Sequence, residues 1–197
     1  LADPLARGGS TTAGGGGIFN LYATVAVDNL WAPYVFIHEF GHHFAGLADE
    51  YYTSSVAYES DPARTEPWEA NATALTDPGR LKWGHLVSST TPLPTPWDKE
   101  KFEAHAREIA SRRTQIREQG LPEEKMEALF KEQSKWEMDL LGNGQYSNEV
   151  GAFEGAMYEA RGYYRPQVDC IMFSRNKVPF CAVCREALER VIDLYAR

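Results

Sequence analysis

The feature that most constrains this chain is His38-Glu39-Phe40-Gly41-His42, set in a stretch that runs without a helix breaker from Tyr34 to Ala45 and stops at Gly46. Pro33 suits a first helical turn, Asp28-Asn29 ahead of it can cap, and Gly46 is a natural C-terminal stop, so the stretch is predicted to be an α-helix. Ile37, Phe40, Gly41 and Phe44 recur at three- and four-residue steps and are read as its buried face. His38 and His42, four residues apart, project from one side of that helix about one turn apart, so both imidazoles can ligate a single Zn²⁺ at ~2.0–2.1 Å each. Glu39 sits beside the first of them, where its carboxylate can take a proton from metal-activated water and pass it to a leaving amine. The motif therefore points to a zinc peptidase with Glu39 as general base and acid.

A catalytic zinc takes three protein ligands and keeps one position open for water. Asp49 lies seven residues after His42, just past the Gly46 turn, where a short loop can return its carboxylate to the metal. Glu50 is its adjacent rival. Glu149, Glu154 or Glu159 would serve if the third ligand came from a separate helix, but the early glycine stop has no purpose in that plan, and Asp49 is favoured. His43 is turned by about 100° from its neighbour and is read as a packed or supporting histidine, not a ligand. His85, in Lys82-Trp83-Gly84-His85, is read as structural.

Residues 8–17 are rich in glycine and are expected to form a mobile or close-approach loop, followed by a strand over Ile18 to Val27. No Gly-Lys-Ser/Thr follows the glycines, which argues against a phosphate-binding loop. Residues 60–96 are rich in Pro, Thr, Asp, Ser and Trp, including Asp61-Pro62, and are expected to be long ordered loops. Asn71-Ala72-Thr73 matches a glycosylation acceptor, a pattern so common by chance that an ordinary loop is the preferred reading. Asp98 to Leu141 carries apolar residues at helical steps (Phe102, Ile109, Ile116, Met126, Leu129, Phe130, Trp136, Leu140) interrupted by Gly120-Leu121-Pro122. Two antiparallel helices with a solvated, charged outer face are predicted, with His105 on the surface. A last helix, Cys184 to Tyr195, is expected to close the core with Ala187, Leu188, Val191, Ile192 and Tyr195.

The chain's 197 residues and 43% apolar content suit one globular domain. A net charge of -8 with no basic stripe argues against a nucleic-acid partner. No apolar run reaches the ~18–20 residues of a membrane span, and no signal peptide opens the chain. Because it begins at Leu1, it is read as a processed piece whose targeting segment is not present. Oligomeric state is not determined by composition. The three cysteines, Cys170, Cys181 and Cys184, all lie near the C-terminal end. A disulfide from Cys170 to Cys181 or Cys184 is preferred to a structural metal lacking its fourth ligand, and three reduced buried thiols stay open as an alternative.

The run His38-Glu39-Phe40-Gly41-His42-His43-Phe44-Ala45-Gly46-Leu47-Ala48-Asp49-Glu50-Tyr51-Tyr52 resembles the bacterial immunoglobulin-A peptidase family of zinc endopeptidases. The likeness extends to Gly14–Asn20, to Gly151–Tyr158, to Tyr164-Arg165-Pro166, and to Cys170-Ile171-Met172 with Phe180-Cys181-Ala182-Val183-Cys184. It implies an α+β, metzincin-like fold: a twisted mixed sheet, an active-site helix, a glycine turn that delivers the third ligand, and a methionine turn under the metal, which Met172 fits. Metzincins typically place a histidine six residues after the second ligand, whereas Asp49 is a carboxylate one residue further on.

The resemblance further implies a peptide bound as an added strand, with Ile18 to Thr24 the candidate edge, and Tyr163 or Tyr164 as a candidate hydroxyl for the oxyanion. It implies a secreted or cell-surface bacterial enzyme acting on protein or peptide, with Zn²⁺ as cofactor. The whole chain, 1–197, is expected to be one catalytic domain, with 98–141 as an inserted helical hairpin. The alternatives are a catalytically inactive zinc-containing module that binds protein or glycan, against which Glu39 counts, and a closed structural zinc fold, which needs four protein ligands.

Overall fold

A computed structural model describes residues 15–26, 30–53 and 64–196. The readings placed on Gly8 to Gly14, the Asp28-Asn29 cap, Val27 and Asp61-Pro62 lie outside the described residues. The described residues form a mixed α+β protein with four α-helices and two small antiparallel sheets.

The strand expected over Ile18 to Val27 is instead half of a hairpin. β1 (Gly15–Ile18) pairs with β2 (Tyr22–Val25), Gly15 opposite Val25 and Ile18 opposite Tyr22. Asn20 turns the chain with φ 56°, a left-handed conformation that asparagine tolerates. The glycines are strand because they must pass close to a helix: a Cβ on Gly17 would stand 2.3 Å from the Glu39 carbonyl oxygen.

That helix, α1 (Ala32–Ala45), has Pro33 in its first turn, as expected. Its buried residues are Val35, His38 and Gly41, while Ile37 is 41% exposed. The core face is thus rotated toward the histidines, because residues 47–52 and 171–172 fold back over that side. Phe40 and Phe44 are half-buried and stacked, with ring centroids 4.9 Å apart.

α2 (Lys99–Glu118) and α3 (Glu123–Gly142) form the expected hairpin. Phe102, Ile109, Met126, Leu129, Phe130 and Leu141 bury its inner stripe, and Arg112 pairs with Glu132 at 2.6 Å on the outer face. Phe102 packs on Tyr52, Trp97 and Phe173, and Phe130 meets Trp31 edge-on at the entry to α1. His105, expected at the surface, is half-buried because it stacks on Trp136 with centroids 3.8 Å apart.

β3 (Phe153–Ala156) and β4 (Glu159–Arg165) are joined by Met157 and Tyr158, both with positive φ. Among the described residues the strands therefore make two separate antiparallel pairs, not the twisted mixed sheet that the resemblance implies. α4 (Ala182–Tyr195) buries Val183, Cys184 and Ala187, but Ile192 and Tyr195 are 53% and 81% exposed. Only its first half closes the core, since the helix runs on past it. No described helix is long and apolar enough to cross a membrane.

Candidate metal centre

The end of α1 aims the chain back at its own histidines. Gly46 adopts φ 60°, which a side chain would strain, and lets the Leu47 N–H reach the Gly41 carbonyl at 3.3 Å. Fully buried Asn71 then clasps the returning strand: it accepts from the Ala48 N–H at 2.8 Å and donates to the Ala48 carbonyl at 3.0 Å and Glu50 Oε1 at 2.9 Å. Its amide is fully used in this packing, in keeping with the ordinary-loop reading of Asn71-Ala72-Thr73. The Met157 N–H donates to the Asp49 carbonyl at 2.9 Å and the Tyr158 N–H to that of Tyr51 at 3.0 Å, so the β3–β4 turn holds the loop from the other side.

This scaffold brings Asp49, not Glu50, to the histidines. Asp49 Oδ1 lies 3.0 Å from His38 Nε2 and 3.1 Å from His42 Nε2, and the two nitrogens are 3.1 Å apart. The other ring nitrogens fix the tautomers. His38 Nδ1 donates to the Ile171 carbonyl at 2.9 Å, and His42 Nδ1 to that of Leu47 at 2.6 Å. A neutral imidazole that donates through Nδ1 presents a lone pair at Nε2. Two lone pairs and a carboxylate oxygen thus converge on one point, an arrangement that repels itself unless a cation or protons stand there. With protons alone to do this, burial works against charge on His42, but the hydrogen bond and charge of Asp49 outweigh it and draw the imidazole up to about 9. Burial likewise opposes charge on Asp49, yet the hydrogen bonds from both histidines hold its carboxyl well below the usual range. Three donors at ~2.0–2.1 Å from a tetrahedral zinc would be separated by about 3.3 Å. The residues fit such an ion.

The rival carboxylates are engaged elsewhere: Glu149 accepts from Thr91, Glu154 pairs with Lys99 at 2.6 Å, and Glu159 pairs with Arg64 at 3.2 Å. His43 Nδ1 donates to the Ile18 carbonyl at 3.3 Å, which ties α1 to β1, and His85 pairs with Glu186 at the surface. Glu39 keeps to the β1 side of the helix, where a Cβ on Gly15 would lie 3.1 Å from its Cγ. Met172 is fully buried, its sulfur pressed against Gly41, one residue before His42.

The model of the family described as IgA Peptidase M64 matches residues 8–192. The chain belongs to this family. Membership makes it a peptidase, a hydrolase whose substrate is protein. No curated protein matches the chain. In this IgA-peptidase family member the tyrosine hydroxyl bonded to Asp49 belongs to neither Tyr163 nor Tyr164. Tyr163 donates to the Thr65 carbonyl at 3.1 Å, and the Tyr164 backbone bridges to Thr73. The Tyr158 hydroxyl instead donates to Asp49 Oδ2 and lies 2.9 Å from that of Tyr51. Sequence reasoning missed it because a turn at Met157-Tyr158 carries none of the usual glycine or asparagine signals. The favoured disulfide is also absent. All three cysteines are free and buried, with Cys170 and Cys184 sulfurs 3.9 Å apart, because a third thiol and Glu50 share their space.

Proposed function

We propose that this peptidase is a zinc-dependent endopeptidase with a metzincin-like centre, in which His38, His42 and Asp49 hold Zn²⁺ and Glu39 is the general base and acid. The carrying observation is the convergence of two Nε2 lone pairs and Asp49 Oδ1 within 3.0–3.1 Å, with both tautomers set by backbone carbonyls. Zn²⁺ held there by His38, His42 and Asp49 would supply Lewis acidity toward water and a peptide carbonyl. Glu39, next to His38 on the same helix, takes the proton from water and returns it to the leaving amine. Tyr158 steadies the Asp49 oxygen that faces away from the histidines, and the Ile171 and Leu47 carbonyls keep the imidazoles in their ligating tautomer. Met172 serves as the floor beneath the helix turn that carries His42.

The protein or peptide substrate is laid along the β1–β2 hairpin, whose Gly15 and Gly17 lie against Glu39. Chain 1–197 acts as one catalytic domain, with the hairpin at 98–141 an insertion that braces α1, and it works as a secreted or cell-surface protein. Chelation is expected to abolish peptide hydrolysis and Zn²⁺ to restore it. Full activity in metal-free protein contradicts the proposal, and bound zinc with no turnover on a broad peptide library favours the inactive binding module.

A further inference from the structure

Glu50, one residue past Asp49, turns into a second cluster. Its side chain is fully buried, and beside it lie the sulfurs of Cys170, Cys181 and Cys184, also buried. One ligand atom from each of the four lies within 4.8 Å of all the others. Cys184 Sγ is 3.3 Å and Cys181 Sγ 3.9 Å from Glu50 Oε1, and Cys170 Sγ is 3.9 Å from Cys184 Sγ. In a tetrahedral zinc site the sulfur–sulfur edge is about 3.8 Å and the sulfur–oxygen edge about 3.5 Å. These three distances stand near those separations, and the remaining edges stay within 4.8 Å.

Two further observations point to an ion. Backbone donors aim at the sulfurs: the Cys181 N–H at Cys170 Sγ (3.3 Å), the Met172 N–H at the same atom (3.5 Å), and the Cys184 N–H at Cys181 Sγ (3.5 Å). Such donors stabilise thiolates. Glu50 Oε2, moreover, is buried with no hydrogen-bond partner among the described residues. A buried carboxylate oxygen left without a partner is costly, and a cation held at the neighbouring Oε1 would offset its charge. A disulfide would use two sulfurs and leave the third, with Glu50, unanswered.

We infer that Glu50, Cys170, Cys181 and Cys184 form a closed structural site for a thiophilic divalent cation, Zn²⁺ by preference, separate from the histidine centre. Four protein donors leave no open position, so the site holds structure and does no chemistry. It joins the residue after Asp49, the segment whose Ile171 carbonyl orients His38, and the first turn of α4, and so pins the floor of the histidine centre from below.

The test uses the His38→Ala/His42→Ala double variant of the full chain, which removes the first centre and so makes the outcome independent of the proposed catalysis. Purified and then loaded with Co²⁺, it is expected to retain one metal equivalent and to show intense thiolate-to-cobalt charge transfer in the near ultraviolet. Glu50→Gln is expected to weaken that binding by at least about 10-fold. Absence of charge transfer in the double variant, or an intact mass two hydrogens below the reduced sequence, overturns the site. Unchanged affinity and spectrum in Glu50→Gln overturn the four-donor assignment.

Discussion

The hydroxyl of Tyr158 holds the Asp49 oxygen that the histidines do not. Tyr158→Phe removes that donor while leaving the ring, and is expected to weaken zinc binding at the histidine centre by about 10–100-fold, measured by chelator competition. An unchanged affinity would show that the backbone alone positions Asp49. The return of Asp49 to the two histidines was legible in the sequence because a glycine stop and a short return are local. Tyr158 was not, since its place depends on a turn more than a hundred residues away in the chain and on two non-glycine residues with positive φ. The engagement of Tyr163 with the Thr65 carbonyl was hidden for the same reason: alternation along β4 tells which residues share a face, not which loop the face meets.

Among the elements, the α2–α3 hairpin was readable from its apolar period, and so was α1, though its buried face was misplaced toward Ile37. The histidine side is covered by the 47–52 return and by the distant 171–172 segment, which no helical period records. The β1–β2 hairpin was hidden because glycine carries no strand signal, and its use here follows from close approach to α1. On α3, Glu137 is buried, and burial pushes its carboxyl up from 4.5 to about 7, with the Gln133 hydrogen bond opposing in part. The folded chain therefore keeps that proton over a range where the unfolded chain has lost it. The contribution is full below about 4.5 and is lost as pH rises through 7. Urea unfolding at pH 5 and pH 8 is expected to show wild type losing about 2–3 kcal/mol more than Glu137→Gln. Equal losses would contradict a proton held there.

At the scale of the whole molecule, the site stands where α1, the 47–52 loop, the β3–β4 turn and the 170–172 segment meet, and Asn71 ties that junction to the long 64–98 loops. Asn71→Ala would leave the Ala48 N–H and carbonyl unpaired, and is expected to cost about 3 kcal/mol in urea unfolding. A loss within about 0.5 kcal/mol would mean that the clasp is incidental. The peptidase character of the chain follows from its family, and the proposed metal chemistry rests on the geometry of three atoms. The most direct test of that chemistry compares zinc content and peptide hydrolysis in wild type and Glu39→Gln. The variant is expected to hold as much zinc as wild type and to lose about 10²–10⁴-fold in kcat/KM; undiminished hydrolysis by Glu39→Gln would contradict the account.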